Sequence, residues 1–75
     1  MKKANYNRIK AVLAEKNKTN IILANYLGVN KQTVSTWCRN VKQPSYATLY
    51  EIAKFLNVEI GDLFTPIKDI KEIES

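Results

Sequence analysis

The chain has 75 residues, 45% of them apolar and 25% charged, with a formal net charge of +5. That length suits one small domain with a modest core, and the composition is that of a folded globule rather than a disordered tail. No apolar run is long enough to span a bilayer, and with no histidine and a single cysteine, Cys38, a zinc site and an internal disulfide are both excluded.

A lone thiol fits a reducing, cytoplasmic setting. The opening MKKANYNRIK has two lysines but no uninterrupted apolar stretch behind them, which argues against a secretory leader. The charge is unevenly spread. Residues 1–42 hold nine of the basic residues and one acid, Glu15, whereas residues 43–75 hold three lysines and six acids. One half of the chain would attract a polyanion and the other would not.

In chain order, Asn5 is the expected cap of a first helix, whose apolar residues Tyr6, Ile9, Val12 and Leu13 fall on one side. Asn17 ends it, as asparagine tolerates the left-handed conformation of a helix terminus. Thr19 opens a second helix from Asn20 to Leu27, with Ile22, Leu23, Tyr26 and Leu27 as its stripe and Ala24 allowing close approach of another helix. Gly28 closes it without a Cβ clash. Asn30 caps a third helix, Lys31 to Arg39, with Val34 and Trp37 inward and Asn40 at its end. The loop VKQP follows, because Pro44 disfavours helix in the residue before it. Ser45 caps a fourth helix that turns Leu49, Ile52, Ala53 and Leu56 inward and ends at Asn57. Val58, Ile60, Leu63 and Phe64 suggest a closing loop and a short fifth helix. Thr65 and Pro66 form a further start signal ahead of Ile67, Ile70 and Ile73, which predicts a short sixth helix. No stretch alternates with the period of a strand, so the expected class is all-α, with residues 1–64 as the folded domain and 65–75 as a tail.

Two helices joined by a three- to four-residue turn containing Gly form a helix-turn-helix unit. Here Gly28-Val29-Asn30 is the turn, and Val29 is placed to plug the angle between the helices. Leu23, Ala24, Leu27, Val34 and Trp37 would knit the pair together. The outer side of the third helix then carries Lys31, Gln32, Ser35 and Thr36, flanked by Thr33 and Arg39. All can donate hydrogen bonds, and no acidic residue occurs between Lys31 and Tyr50. An ordinary solvated helix mixes Glu with Lys; a helix in the DNA major groove avoids carboxylates, which repel phosphates. Gln can bond both amide atoms to adenine, Lys can reach guanine acceptors, and a Thr methyl can meet a thymine methyl.

The span from Ile9 to Phe64 resembles the phage repressor/Cro (XRE-type) helix-turn-helix family. The resemblance rests on Leu23-Ala24, Leu27-Gly28-Val29, Val34-Ser35, Trp37, Pro44-Ser45, Leu49, Ala53, Leu56, Val58 and Leu63-Phe64 in their joint spacing. It implies five helices around one core, lambda-repressor-like, with the third helix reading the major groove. By position it implies base contacts from Lys31, Gln32, Thr33 and Thr36, to which Ser35, on the same outer side, is added as a candidate. It implies phosphate contacts from Asn20 at the start of the second helix and from Arg39, Asn40, Lys42 and Gln43 in the loop; Tyr46, in the first turn of the fourth helix, is a further candidate that could instead cover the loop. Ser35 can equally bond back to a helix carbonyl, and Trp37 belongs to the core by its register. The chain departs from the family where Asn20 replaces a common Gln, Cys38 a common Glu, Asn40 a common Gly, and Ile22 a capping-box Glu.

The function expected is therefore a sequence-specific double-stranded DNA-binding regulator, acting as a repressor. The Ile67, Ile70 and Ile73 stripe can fold onto its own domain or meet its twin; a homodimer on a palindromic operator is the expected assembly, with half-sites roughly 34 Å apart. No cofactor, metal, membrane or catalytic role is expected: there is no histidine, no phosphate-binding Gly loop and no metal spacing. The competing reading is a protein-interaction adaptor or antitoxin on the same fold, with the isoleucine tail as its partner surface.

Overall fold

The computed structural model describes the backbone of residues 2–69 and 72–74 and the side chains of residues 5–69. Four α-helices make the body: α1 (Ile9–Glu15), α2 (Asn20–Leu27), α3 (Lys31–Cys38) and α4 (Tyr46–Leu56). A 3-10 turn at Ile60–Leu63 and another at Ile67–Asp69 follow, and two short strands, β1 (Lys2–Ala4) and β2 (Glu72–Glu74), pair antiparallel with Lys3 opposite Ile73.

Local chemistry explains the helix boundaries. Thr19 Oγ1, Asn30 Oδ1 and Ser45 Oγ accept the first free amides of α2, α3 and α4, from Ile22 (3.2 Å), Gln32 (2.7 Å) and Thr48 (3.1 Å), groups that no helical carbonyl can serve. All four helices end the same way. Asn17, Gly28, Asn40 and Asn57 have φ of 57°, 72°, 59° and 57°. Each donates its N–H to the carbonyl three residues back, and the next residue donates to the carbonyl five back, as in Asn40 to Trp37 (3.0 Å) and Val41 to Thr36 (2.9 Å). The left-handed residue turns the chain so that two orphan carbonyls are satisfied at once.

The core is Ile9, Val12, Leu13, Leu23, Ala24, Val34, Trp37, Leu49, Ile52, Ala53, Leu56 and Leu63. α2 packs on α3 and α4; α1 packs on α3 and on the 3-10 turn at Ile60–Leu63, which also closes over α4. Leu63 is fully buried.

Five expectations are corrected. First, α1 starts at Ile9, not beside Asn5: Asn7 Oδ1 accepts the Ile9 amide (3.0 Å). Tyr6 and Asn7 are extended and bridge to the closing segment, through Arg8 N–H to Leu63 O (2.8 Å) and Thr65 N–H to Tyr6 O (2.9 Å). Second, the fifth element is a single 3-10 turn. Third, in place of the expected sixth helix, the described residues after Pro66 form one 3-10 turn at Ile67–Asp69, with Ile67 exposed, and the strand β2. Ile70 and the side chain of Ile73 lie outside the described residues. Fourth, the paired strands were not expected, as three residues carry no readable alternation. Fifth, Val29 is exposed and does not plug the α2–α3 angle, and Ile22 and Tyr26 are also exposed. The four successive apolar residues Ile21 to Ala24 give α2 no sharp stripe, and only Leu23 and Ala24 are buried.

Candidate nucleic-acid interface

α3 divides cleanly into two sides. Val34 is fully buried and Trp37 nearly so, and their fixed position holds Lys31, Gln32 and Thr33 in solvent, with Ser35 and Thr36 half-exposed. Asn30 Oδ1 accepts the Gln32 main-chain amide at the start of α3, and the Gln32 side chain makes no hydrogen bond among the described residues. Thr36 donates its hydroxyl to Thr33 C=O (2.6 Å), so the oxygen that remains outward can accept and the methyl is held in one orientation.

At one end of this side stands Asn20, the first residue of α2, half-buried. The Cys38 thiol donates to its Oδ1 at 3.5 Å. Asn20 and Cys38, two of the four departures noted in the sequence, thus face each other and tie α2 to α3. Burial pushes the Cys38 thiol up from its ordinary value, and the nearby Lys10 ammonium opposes that shift.

At the other end, Arg39, Lys42 and Tyr46 are exposed, Tyr46 at 70%. Asn40, half-buried, and Gln43, exposed, were expected to face phosphates, but their side chains are hydrogen-bonded to each other and to Asn7. Asn40 Oδ1 accepts from the Asn7 N–H (3.0 Å) and from Gln43 Nε2 (3.1 Å), and Asn40 Nδ2 donates to Asn7 C=O (3.2 Å). Asn7 Nδ2 donates to Trp37 C=O (2.9 Å) and to Gln43 Oε1 (2.7 Å). Sequence reasoning missed Asn7. It is the one buried polar residue among the described residues, and its partners lie 30 to 36 positions away, beyond any local pattern.

Residues 8–69 match the model of the Cro/C1-type HTH DNA-binding domain. The chain belongs to the Cro/C1-type helix-turn-helix family. Among its relatives is an uncharacterized HTH-type transcriptional regulator, MJ0272, of Methanocaldococcus jannaschii, 38% identical over 58 residues that cover 77% of this chain and 88% of that protein. A crystal structure of a candidate DNA-binding protein from Bacteroides fragilis superposes with a TM-score of 0.78 at 45% identity, covering 87% of this chain and all of the other. Helix-turn-helix domains lay the second helix of the motif in the major groove; the helix at that position here is α3, packed against α2. No helix among the described residues is long and apolar enough to cross a membrane.

Proposed function

We propose that this chain is a sequence-specific double-stranded DNA-binding transcriptional regulator that acts as a repressor in the cytoplasm. The observation that carries the reading is the two-sidedness of α3: Val34 and Trp37 are buried, while Lys31, Gln32 and Thr33 stand in solvent on a stretch without a carboxylate. Family membership and the regulator named among its relatives add support.

In this reading Lys31, Gln32, Thr33, Ser35 and Thr36 meet base edges, with Gln32 as the main discriminator through its two amide atoms. Asn20, Arg39, Lys42 and Tyr46 meet flanking phosphates and fix the register of α3 without carrying sequence information. Asn40 and Gln43 belong to the same edge and shape the loop between Arg39 and Lys42. Released counterions supply the affinity. Residues 1–64 read the DNA, and residues 65–75 join two copies, so that two α3 helices address a palindrome with half-sites roughly 34 Å apart.

Selection of binding sites from a random duplex library tests the reading. The expected result is an enriched half-site, repeated as an inverted pair. A library that emerges without enrichment, or a protein that binds no duplex at low salt, overturns it.

A further inference from the structure

We infer that Asn7 and Asn40 act as a positioning brace for the DNA-contacting loop, locking residues 39–43 to the start of α1 before DNA arrives; this rests on the DNA-binding reading above. Asn40 sits at φ 59°, a conformation glycine adopts at no steric cost. Glycine would therefore serve the backbone equally well, and the Asn side chain has another task. It reaches back to Asn7 with both of its polar atoms, accepting the Asn7 N–H at 3.0 Å and donating to the Asn7 carbonyl at 3.2 Å. Such a two-way grip on one residue's backbone fixes direction as well as distance.

Asn7 completes the arrangement from its side. Its own side-chain oxygen accepts the amide of Ile9, the first residue of α1. Its Nδ2 also holds the Trp37 carbonyl, at the end of α3, and the Gln43 side chain, on the far side of the loop. Asn7 thus joins the start of α1, the end of α3 and both ends of the loop that carries Arg39 and Lys42. The main chain on either side of Asn7 is pinned in turn to Leu63 and Thr65, so the loop is referred to the rigid core rather than to its own hinges. A loop ordered in advance avoids the entropy cost of being ordered on binding. Base choice stays with α3, so the brace serves affinity for every duplex and leaves preference untouched.

Asn40→Gly and Asn7→Ser separate this role from its competitors, with serine retaining a helix-capping oxygen at position 7. Affinity is measured on a selected and a random duplex at a temperature where each variant is fully folded, so that a merely structural role leaves it unmoved. Both variants should bind both duplexes roughly three- to tenfold more weakly, as expected for loop and side-chain ordering costs shifted onto binding. The double variant should lose no more than the weaker single, because the pair acts as one unit. Amides of residues 39–43 should exchange faster in Asn40→Gly, a readout that stands even where Asn7→Ser fails to fold. Weakening by Asn40→Gly alone, with folded Asn7→Ser binding normally, would mean direct DNA contact by Asn40 and overturns the brace. Unchanged affinity in Asn40→Gly also overturns it while DNA binding by the parent protein stands. A parent protein that binds no duplex removes the DNA reading itself and the brace with it.

Discussion

The Cys38 thiol and the Asn20 carboxamide oxygen meet at 3.5 Å across the α2–α3 junction. This neutral contact joins the start of α2 to the end of α3. It connects Asn20, the first residue of α2 and itself a proposed phosphate contact, to the last residue of the helix proposed to read bases.

The protonation state of that contact has a defined pH signature. Burial raises the folded-state pKa of Cys38, with Lys10 acting against it, so the fold favours the neutral thiol. The stabilisation is complete below the ordinary cysteine value of 9.0 and is lost as pH rises through the higher folded value. Denaturant titrations of the parent and of Cys38→Ala should therefore converge as pH is raised across that window. Native Cys38 should also alkylate more slowly than the unfolded chain at neutral pH, since the thiolate is the reactive form. Equal alkylation rates in the two states would contradict the assignment.

Base choice and phosphate grip should separate by mutation. Gln32→Ala should cost about 1–3 kcal/mol on the preferred duplex and flatten discrimination at one or two base pairs, with little effect on random DNA. Lys42→Ala should weaken all duplexes alike and reduce the salt slope by about one. Competition binding across a salt series measures both, and identical behaviour of the two variants would refute the division of roles.

The turn between α2 and α3 depends on backbone conformation alone. A Cβ added to Gly28 would meet nothing within 4 Å, but φ is 72°. Gly28→Ala should therefore destabilise the domain by about 1–2 kcal/mol from the left-handed backbone alone. Gly28→Asn should recover part of that, as asparagine occupies the equivalent position at Asn17, Asn40 and Asn57. Thermal unfolding of the two variants checks the order.

The C-terminal segment separates regulator from adaptor. Removing residues 66–75 takes away Ile67, which is 90% exposed, and the partner strand of β1. In the regulator reading, sedimentation should show a shift from dimer to monomer, and affinity for the paired site should fall towards that of a single half-site. A truncated protein that keeps full operator affinity but no longer captures a protein partner favours the adaptor.

Much of this protein is written locally. Thr19, Asn30 and Ser45 open helices, and Asn17, Gly28, Asn40 and Asn57 close them, because each side chain or backbone acts on amides and carbonyls within about one turn. Val34 and Trp37, three residues apart on α3, likewise define its buried side and hence its outward one. These features were legible without coordinates, and with them the helix-turn-helix.

What lay beyond reach depends on contacts between distant residues. Asn7 looks like an unremarkable polar residue near a helix start, and only the folded chain brings Asn40, Trp37 and Gln43 to it. Asn40 and Gln43 looked outward on the loop, yet their amides are hydrogen-bonded to Asn7 and to each other. α2 is apolar on too many sides for periodicity to choose its buried face; α3 and α4, packed against it, selected Leu23 and Ala24. The pairing of Lys2–Ala4 with Glu72–Glu74 likewise joins opposite ends of the sequence. Short-range rules act within a turn of helix, whereas which polar group is buried, and against what, is settled only when separate elements share one core.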